Sequence, residues 1–171
     1  MAAAEMFEVA LGTMLKVLGE GHVDTLRVAG NFGVALVATG DRREMRRGIR
    51  LIEGTLGART RFLGAEHPET LTALNALAVA HRRAGHADKA LELAMQAVSA
   101  RTRALGATHP DTLTSRMGLA VALAGTGDGV KAHRIAGSTL AAAEDALGGD
   151  SEHLYALVEC GEDAGLLHRE I

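Results

Sequence analysis

The sequence predicts an all-α protein: an α-solenoid of stacked antiparallel helix pairs, with about eight helices. Three observations lead there. Four Leu-Gly pairs, Leu18-Gly19, Leu63-Gly64, Leu105-Gly106 and Leu147-Gly148, recur at spacings of 45, 42 and 42 residues. The text after the first three is nearly the same: LGEGHVDTLRVAGNFGVALVATG, LGAEHPETLTALNALAVAHRRAG and LGATHPDTLTSRMGLAVALAGTG. Apolar residues inside these stretches step by three and four, and nothing reads as a strand.

The elements follow in order. Residues 2–18 align with the second helix of a repeat only, Lys89–Leu105 being the counterpart. Whole repeats span 19–63, 64–105 and 106–147, and a closing helix spans 148–171, all within one repeat domain. Each first helix opens at His22, His67 or His109. Pro68 and Pro110 suit its first turn, where a missing N–H costs nothing. Glu69 and Asp111 place negative charge on the positive helix end. Leu71, Leu74, Leu77, Ala78 and His81 mark its apolar side, and Gly40, Gly85 and Gly127 end it as C-cap glycines. The second helix is expected over Ala87–Ala104, with Ala90, Leu91, Leu93, Ala94, Ala97 and Val98 inward. Residues 150–168 resemble a first helix, with Ser151 where the histidine should stand.

From each repeat histidine to its closing glycine is 18 residues, so the three extra residues of the first repeat lie between Gly40 and Leu63. Gly30, Gly33, Gly48, Gly54, Gly57, Gly118 and Gly137 fall inside predicted helices, each at a cost of up to about 1 kcal/mol against alanine. Gly48, Gly54 and Gly57 cluster where the insertion lies. This predicts a kinked, bulged or broken helix around 48–58. The opening half repeat leaves an apolar face without its partner helix. It is expected either to belong to a longer protein or to dock on another subunit.

Composition narrows the function. Lys plus Arg is 18 and Asp plus Glu is 21, a net charge of −3, which argues against a strongly basic nucleic-acid binder. Three Phe, one Tyr and no Trp leave little for base stacking. The single cysteine, Cys160, excludes an internal disulfide, and a cytoplasmic setting is expected. No apolar run approaches the ~18 residues of a membrane span, so no membrane partner is expected.

The pattern resembles tetratricopeptide repeats, in the 42-residue form seen in kinesin light chains, over residues 3 to about 148. The small-residue signature falls in phase: Phe32, Leu77 and Leu119, then Gly33, Ala78 and Ala120. The second-helix alanine maps to Met45, Ala90 and Ala132. The usual tyrosine is absent, with Leu36, His81 and Leu123 in its place. The resemblance implies a non-enzymatic interaction module that holds a peptide or partner domain in a concave groove lined by first helices. The family's ligand positions carry over to Arg27, Asn31 and Val34, to Thr72, Asn75, Val79, Arg82 and Arg83, and to Thr114, Met117 and Val121. Amide side chains can bond an extended backbone, and arginines suit an acidic partner. Two other roles are compatible with the array: a sensor or autoinhibitory segment of a larger signalling regulator, or a scaffold that self-assembles through its terminal helices.

No catalytic, cofactor or metal constellation emerges. The repeat histidines stand at least ~8–10 Å apart in stacked helices, too far to share one metal ion. His81 and His86 lack a third ligand at suitable spacing. His133, His153 and His168 read as surface residues, and Cys160 as a half-buried structural thiol. Glu66, Glu69, Glu144 and Asp145 sit at turns or helix ends, where solvated acids are ordinary. Arg42, Arg43, Arg46, Arg47 and Arg50 cluster on one stretch. They read first as a solvated helix face, paired in part through Glu44–Arg47 and Glu53–Arg50, with a patch for nucleic acid or an acidic partner as the alternative.

Overall fold

The computed structural model describes residues 3–149 and 151–167. Residue 2 of the opening half repeat, Asp150, His168 and the rest of the expected closing segment lie outside them. The described residues form eight α-helices and no strand. In order these are α1 (Ala3–Val17), α2 (Val23–Ala38), α3 (Arg42–Leu63), α4 (Pro68–Arg83), α5 (Ala87–Leu105), α6 (Pro110–Gly125), α7 (Gly129–Leu147) and α8 (Glu152–Asp163). Two compact units result, α1–α4 within Met1–His86 and α5–α8 within Ala87–Ile171. The division falls at a turn inside the second sequence repeat.

The repeat histidines are helix caps. His22, His67 and His109 hold extended backbone at the N-cap of α2, α4 and α6. Each Nδ1 accepts the backbone N–H two residues on, at 3.2 Å. A ring nitrogen thus does what a serine or aspartate oxygen usually does there. Ser151 occupies the same position before α8 and makes no side-chain cap bond. Helix α3 is capped by Asp41, which accepts from the N–H groups of Arg43 and Glu44 at 2.8 and 2.9 Å. The Glu44 N–H is the main reason that the Asp41 carboxyl is held below the usual carboxylate range.

Helix ends are set by glycines in the left-handed region. At Gly85 (φ 80°) the chain turns so that His86 N–H reaches the His81 carbonyl at 2.9 Å. A Cβ would strain this backbone. Such glycines stand 21 residues apart from Gly64 to Gly148, but 24 apart between Gly40 and Gly64.

That longer interval is absorbed by helix. The expected break around 48–58 does not occur: α3 runs unbroken for 22 residues, against 19 in α5 and α7. The buried residues locate the insertion. Gly48, Ile52, Thr55 and Arg59 of α3 stand 42 residues before Ala90, Ala94, Ala97 and Arg101 of α5. A further 42 on lie Ala132, Ala136, Thr139 and Ala143 of α7. Register is therefore kept from Gly48 onward, and the extra residues occupy the first turns, before Gly48. The small second-helix residue of the first repeat is Gly48, not Met45. Gly54 and Gly57 face open space, where glycine weakens a helix without bending it. Packing of α3 against α2 and α4 offsets that weakness.

In the first unit Leu26, Phe32, Leu36, Val37, Ile49, Ile52, Leu71 and Leu77 form the core. Phe7 of α1 stacks on Phe32 at 5.6 Å between centroids. In the second unit Leu113, Met117, Ala120, Ala132, Ala136 and Ala143 pack with Leu154, Leu157 and Leu166.

Candidate functional site

The ligand-facing residues expected in the first unit lie on two helices that touch, α2 and α4. Arg27, Asn31 and Val34 are exposed on α2, and Thr72, Val79, Arg82 and Arg83 on α4, with Asn75 half-buried. Three of them come together. Val34, Val79 and Arg83 line a pocket of about 250 Å³, with Val37, Ala38, Ala76, Ala80 and, from α3, Ile52. The hollow exists because Ala38, Ala76 and Ala80 are too short to fill it. Val34 and Val79 keep 47% and 37% of their surface exposed. Arg83 is the single charged residue in the lining. The walls can take an aliphatic or aromatic side chain, and the guanidinium can pair with a nearby carboxylate.

Arg27, Asn31, Thr72, Asn75 and Arg82 lie outside that lining. Arg27 is paired with Asp24 one helical turn away.

In the second unit the expectation fails for Met117 and changes for Thr114. Met117 is 1% exposed and belongs to the core. Helix α8 covers it: a Cβ built on Gly161 would stand 3.7 Å from the Met117 methyl. Thr114 donates its hydroxyl to the Pro110 carbonyl, and His153 Nε2 lies 3.0 Å from the same hydroxyl. His153 Nε2 is also 2.8 Å from the Pro110 carbonyl. His153 is therefore a half-buried tie between α8 and α6, not a surface residue. Val121 is half-buried against the same core.

Two residues that the sequence reading passed over are Arg59 and Arg101. They are 5% and 4% exposed and stand 42 residues apart, each eight residues before a capping histidine. Arg59 donates to the Glu69 backbone carbonyl at 2.9 Å and pairs with the Glu69 carboxylate at 2.8 Å. Arg101 donates to the Asp111 carbonyl at 2.8 Å and to Ser115 Oγ at 2.9 Å. Burial pushes both guanidinium pKa values down, and Glu69 and Asp111 counter it. Each arginine clasps the first turn of the following helix. Glu69 is thus an ion-pair partner rather than a merely solvated acid. The signal was an arginine locked to the repeat period.

The remaining side chains fall as follows. Arg47 pairs with Glu8, stands 3.7 Å from Glu44, and lies over the Phe32 ring at 5.3 Å. The expected Arg50–Glu53 pair does not form, and Glu53 lies 3.7 Å from His81 Nε2 instead. His81 and His86 face each other through Nδ1 atoms 3.1 Å apart. Cys160 is exposed on α8, not half-buried. Among the described residues no three His, Cys, Asp or Glu side chains gather as a metal site. No helix there is long and apolar enough to cross a membrane.

Comparison with known proteins places this geometry in a family of folds. The tetratricopeptide repeat family model matches residues 42–103. Two crystal structures of nearly identical TPR-like repeats, from a Podosopora anserina protein assigned as a kinesin light chain, are similar. Each is 24% identical, with TM-scores of 0.75 and 0.73, over 95% of this chain and 77% and 78% of theirs. BtubC (BKLC) from P. vanneervenii is similar at 20% identity and TM-score 0.74, over 87% of this chain and 58% of that one. Among curated proteins no sequence matches. The chain resembles kinesin-light-chain-type tetratricopeptide repeats, and its fold is that of a tetratricopeptide-like helical repeat.

Proposed function

We propose that this tetratricopeptide-like array is a non-catalytic protein-interaction module whose α2–α4 face binds a peptide or a segment of a partner protein. The observation that carries it is the apolar pocket between Val34 and Val79 with Arg83 on its wall. An exposed apolar hollow beside a cation that has no ion-pair partner among the described residues suits a bulky side chain next to an acidic group. Arg82 adds positive charge nearby on α4. Thr72 and Asn75, on the same helix, offer hydroxyl and amide groups for a backbone. Affinity is modest and falls with added salt, because exposed charges are screened.

The test is affinity capture from host lysate with three baits: the unaltered chain, Arg82→Glu/Arg83→Glu and Val34→Asp. Bound proteins are identified by mass spectrometry, and helicity is checked by circular dichroism. A partner held by the first bait and lost from both variants supports the reading. Identical capture by all three removes the α2–α4 face from consideration. A second reading rests on α1, where Met6, Val9 and Val17 are 57%, 63% and 74% exposed. Self-association through that stripe would give a dimer that Met6→Glu/Val9→Glu dissociates.

A further inference from the structure

The insertion that lengthens α3 sets a cluster of arginines on a face the core does not use. At about 100° per residue, Arg42, Arg43, Arg46 and Arg50 fall within an arc of about 100°. That arc lies opposite Gly48, Ile52, Thr55 and Arg59, which are buried. All four arginines are exposed. Three acids stand among them, Asp41, Glu44 and the exposed Glu53, and among the described residues none forms an ion pair with these four arginines. The Asp41 carboxylate, close enough to act through space on Arg43 and Arg46, caps the helix. Glu44 stands by Arg47, and Glu53 faces His81. The first unit as a whole carries 11 Lys and Arg against 9 Asp and Glu, while the second carries 7 against 12.

The same arc continues to Gly54 and Gly57, where an added Cβ would meet nothing within 4 Å. Alanine would make the better helix at both positions, and nothing in the fold excludes it. Bare backbone on a helix face lets another helix approach closely. The arginine stretch spans about 12 Å along the axis, two turns of a facing helix. No aromatic residue lies on the arc to stack a base, and no large apolar side chain to enter a lipid surface.

We infer that the outer face of α3 is a docking surface for an acidic helical segment of a partner protein. Its carboxylates pair with Arg42, Arg43, Arg46 and Arg50, and its backbone passes close to Gly54 and Gly57. This surface is separate from the α2–α4 pocket, and the two are separable by experiment.

The probe is a fluorescein-labelled alanine helix with glutamate at every fourth position, titrated by anisotropy against the full chain at low and physiological salt. The comparison probes are the same composition broken by proline and a DNA duplex of about 12 base pairs. The helical peptide is expected to bind best, and more weakly as salt rises. Arg46→Glu/Arg50→Glu should weaken it by at least about tenfold. Gly54→Leu/Gly57→Leu should weaken it by about threefold or more with helicity retained. Arg83→Glu, at the pocket, should leave it unchanged. The inference is overturned if the helical peptide does not bind, if the broken peptide or the duplex binds as tightly, or if Arg46→Glu/Arg50→Glu has no effect. Loss on Arg83→Glu would assign the binding to the pocket and overturn it equally.

Discussion

In the first unit α2 and α3 meet at Gly33 and Gly48; in the second, the matching residues of α6 and α7 are Ala120 and Ala132. A Cβ on Gly48 would stand 2.5 Å from the Gly33 carbonyl oxygen and 3.0 Å from the Val37 nitrogen. The first pair therefore has no room where the second holds two methyl groups. The bulk is distributed differently as well. Buried positions of α3 include Ile49 and Ile52, whereas those of α7 are Ala132, Ala136, Thr139 and Ala143. The second unit recovers volume from Met117 and from Leu154, Leu157 and Leu166. One repeat plan thus fills its interior by balancing large and small residues across a helix pair, not by fixing size at each position. Equivalent sequence positions can then have opposite environments.

Asn75 and Met117 test that conclusion most strongly. They occupy the same place in successive repeats, yet Asn75 is half-buried and Met117 is 1% exposed. Met117→Ala should destabilise the protein by about 3 kcal/mol, through lost burial plus the cavity left under α8. Asn75→Ala should cost less than about 1 kcal/mol. Urea unfolding followed by circular dichroism gives both values. Near-equal losses would mean that the two positions share an environment after all.

Gly48→Ala is the next largest. Alanine raises helix propensity, so at an open site it would stabilise. Here the methyl meets backbone, which cannot rotate away, and a net loss of about 2 kcal/mol is expected. Alanine is the natural residue at Ala90 and Ala132, which makes the effect specific to the first unit. Amide exchange read by mass spectrometry should accelerate in α2 and α3 and not in α6 and α7. A stabilised Gly48→Ala variant would show that the α2–α3 contact is looser than the backbone positions indicate.

These contrasts explain what could be read from the chain before its structure. Helix number, helix starts at Pro68 and Pro110, and ends at the turn glycines are local properties, written in propensity and spacing. They were legible. The position of the insertion was not, because counting from Gly40 or from Leu63 gives different registers for α3, and only burial at Gly48, Ile52, Thr55 and Arg59 decides between them. The break at Gly48–Gly57 was expected from propensity alone, which packing overrides. On the candidate face, Val34, Val79 and Arg83 were implied by the family resemblance, and they stand together. Met117 was implied in the same way, but α8 buries it, and a degenerate helix opened by Ser151 gave no sign of its packing. Arg59 and Arg101 were visible as a period-42 pair, yet spacing cannot reveal that a charged side chain is inside.

The smallest effect separates α6 from α8 within the second unit. His109 caps α6 through Nδ1, and His67 does the same for α4, whereas Ser151 leaves α8 without a side-chain cap bond. His109→Ala and His67→Ala should each cost about 1 kcal/mol, the usual worth of an N-cap. His109→Asn should retain most of it, since the amide oxygen can accept the Asp111 N–H. Ser151→Ala removes no cap bond and should change stability by less than about 0.5 kcal/mol. Amide exchange in the first turns of α4, α6 and α8 localises each change. If Ser151→Ala proves as costly as His109→Ala, the serine caps α8 in solution and the histidine holds no advantage at this position. If His109→Asn is as damaging as His109→Ala, the ring contributes through its bulk rather than its nitrogen, and the repeat histidines are packing residues that happen to stand at a cap.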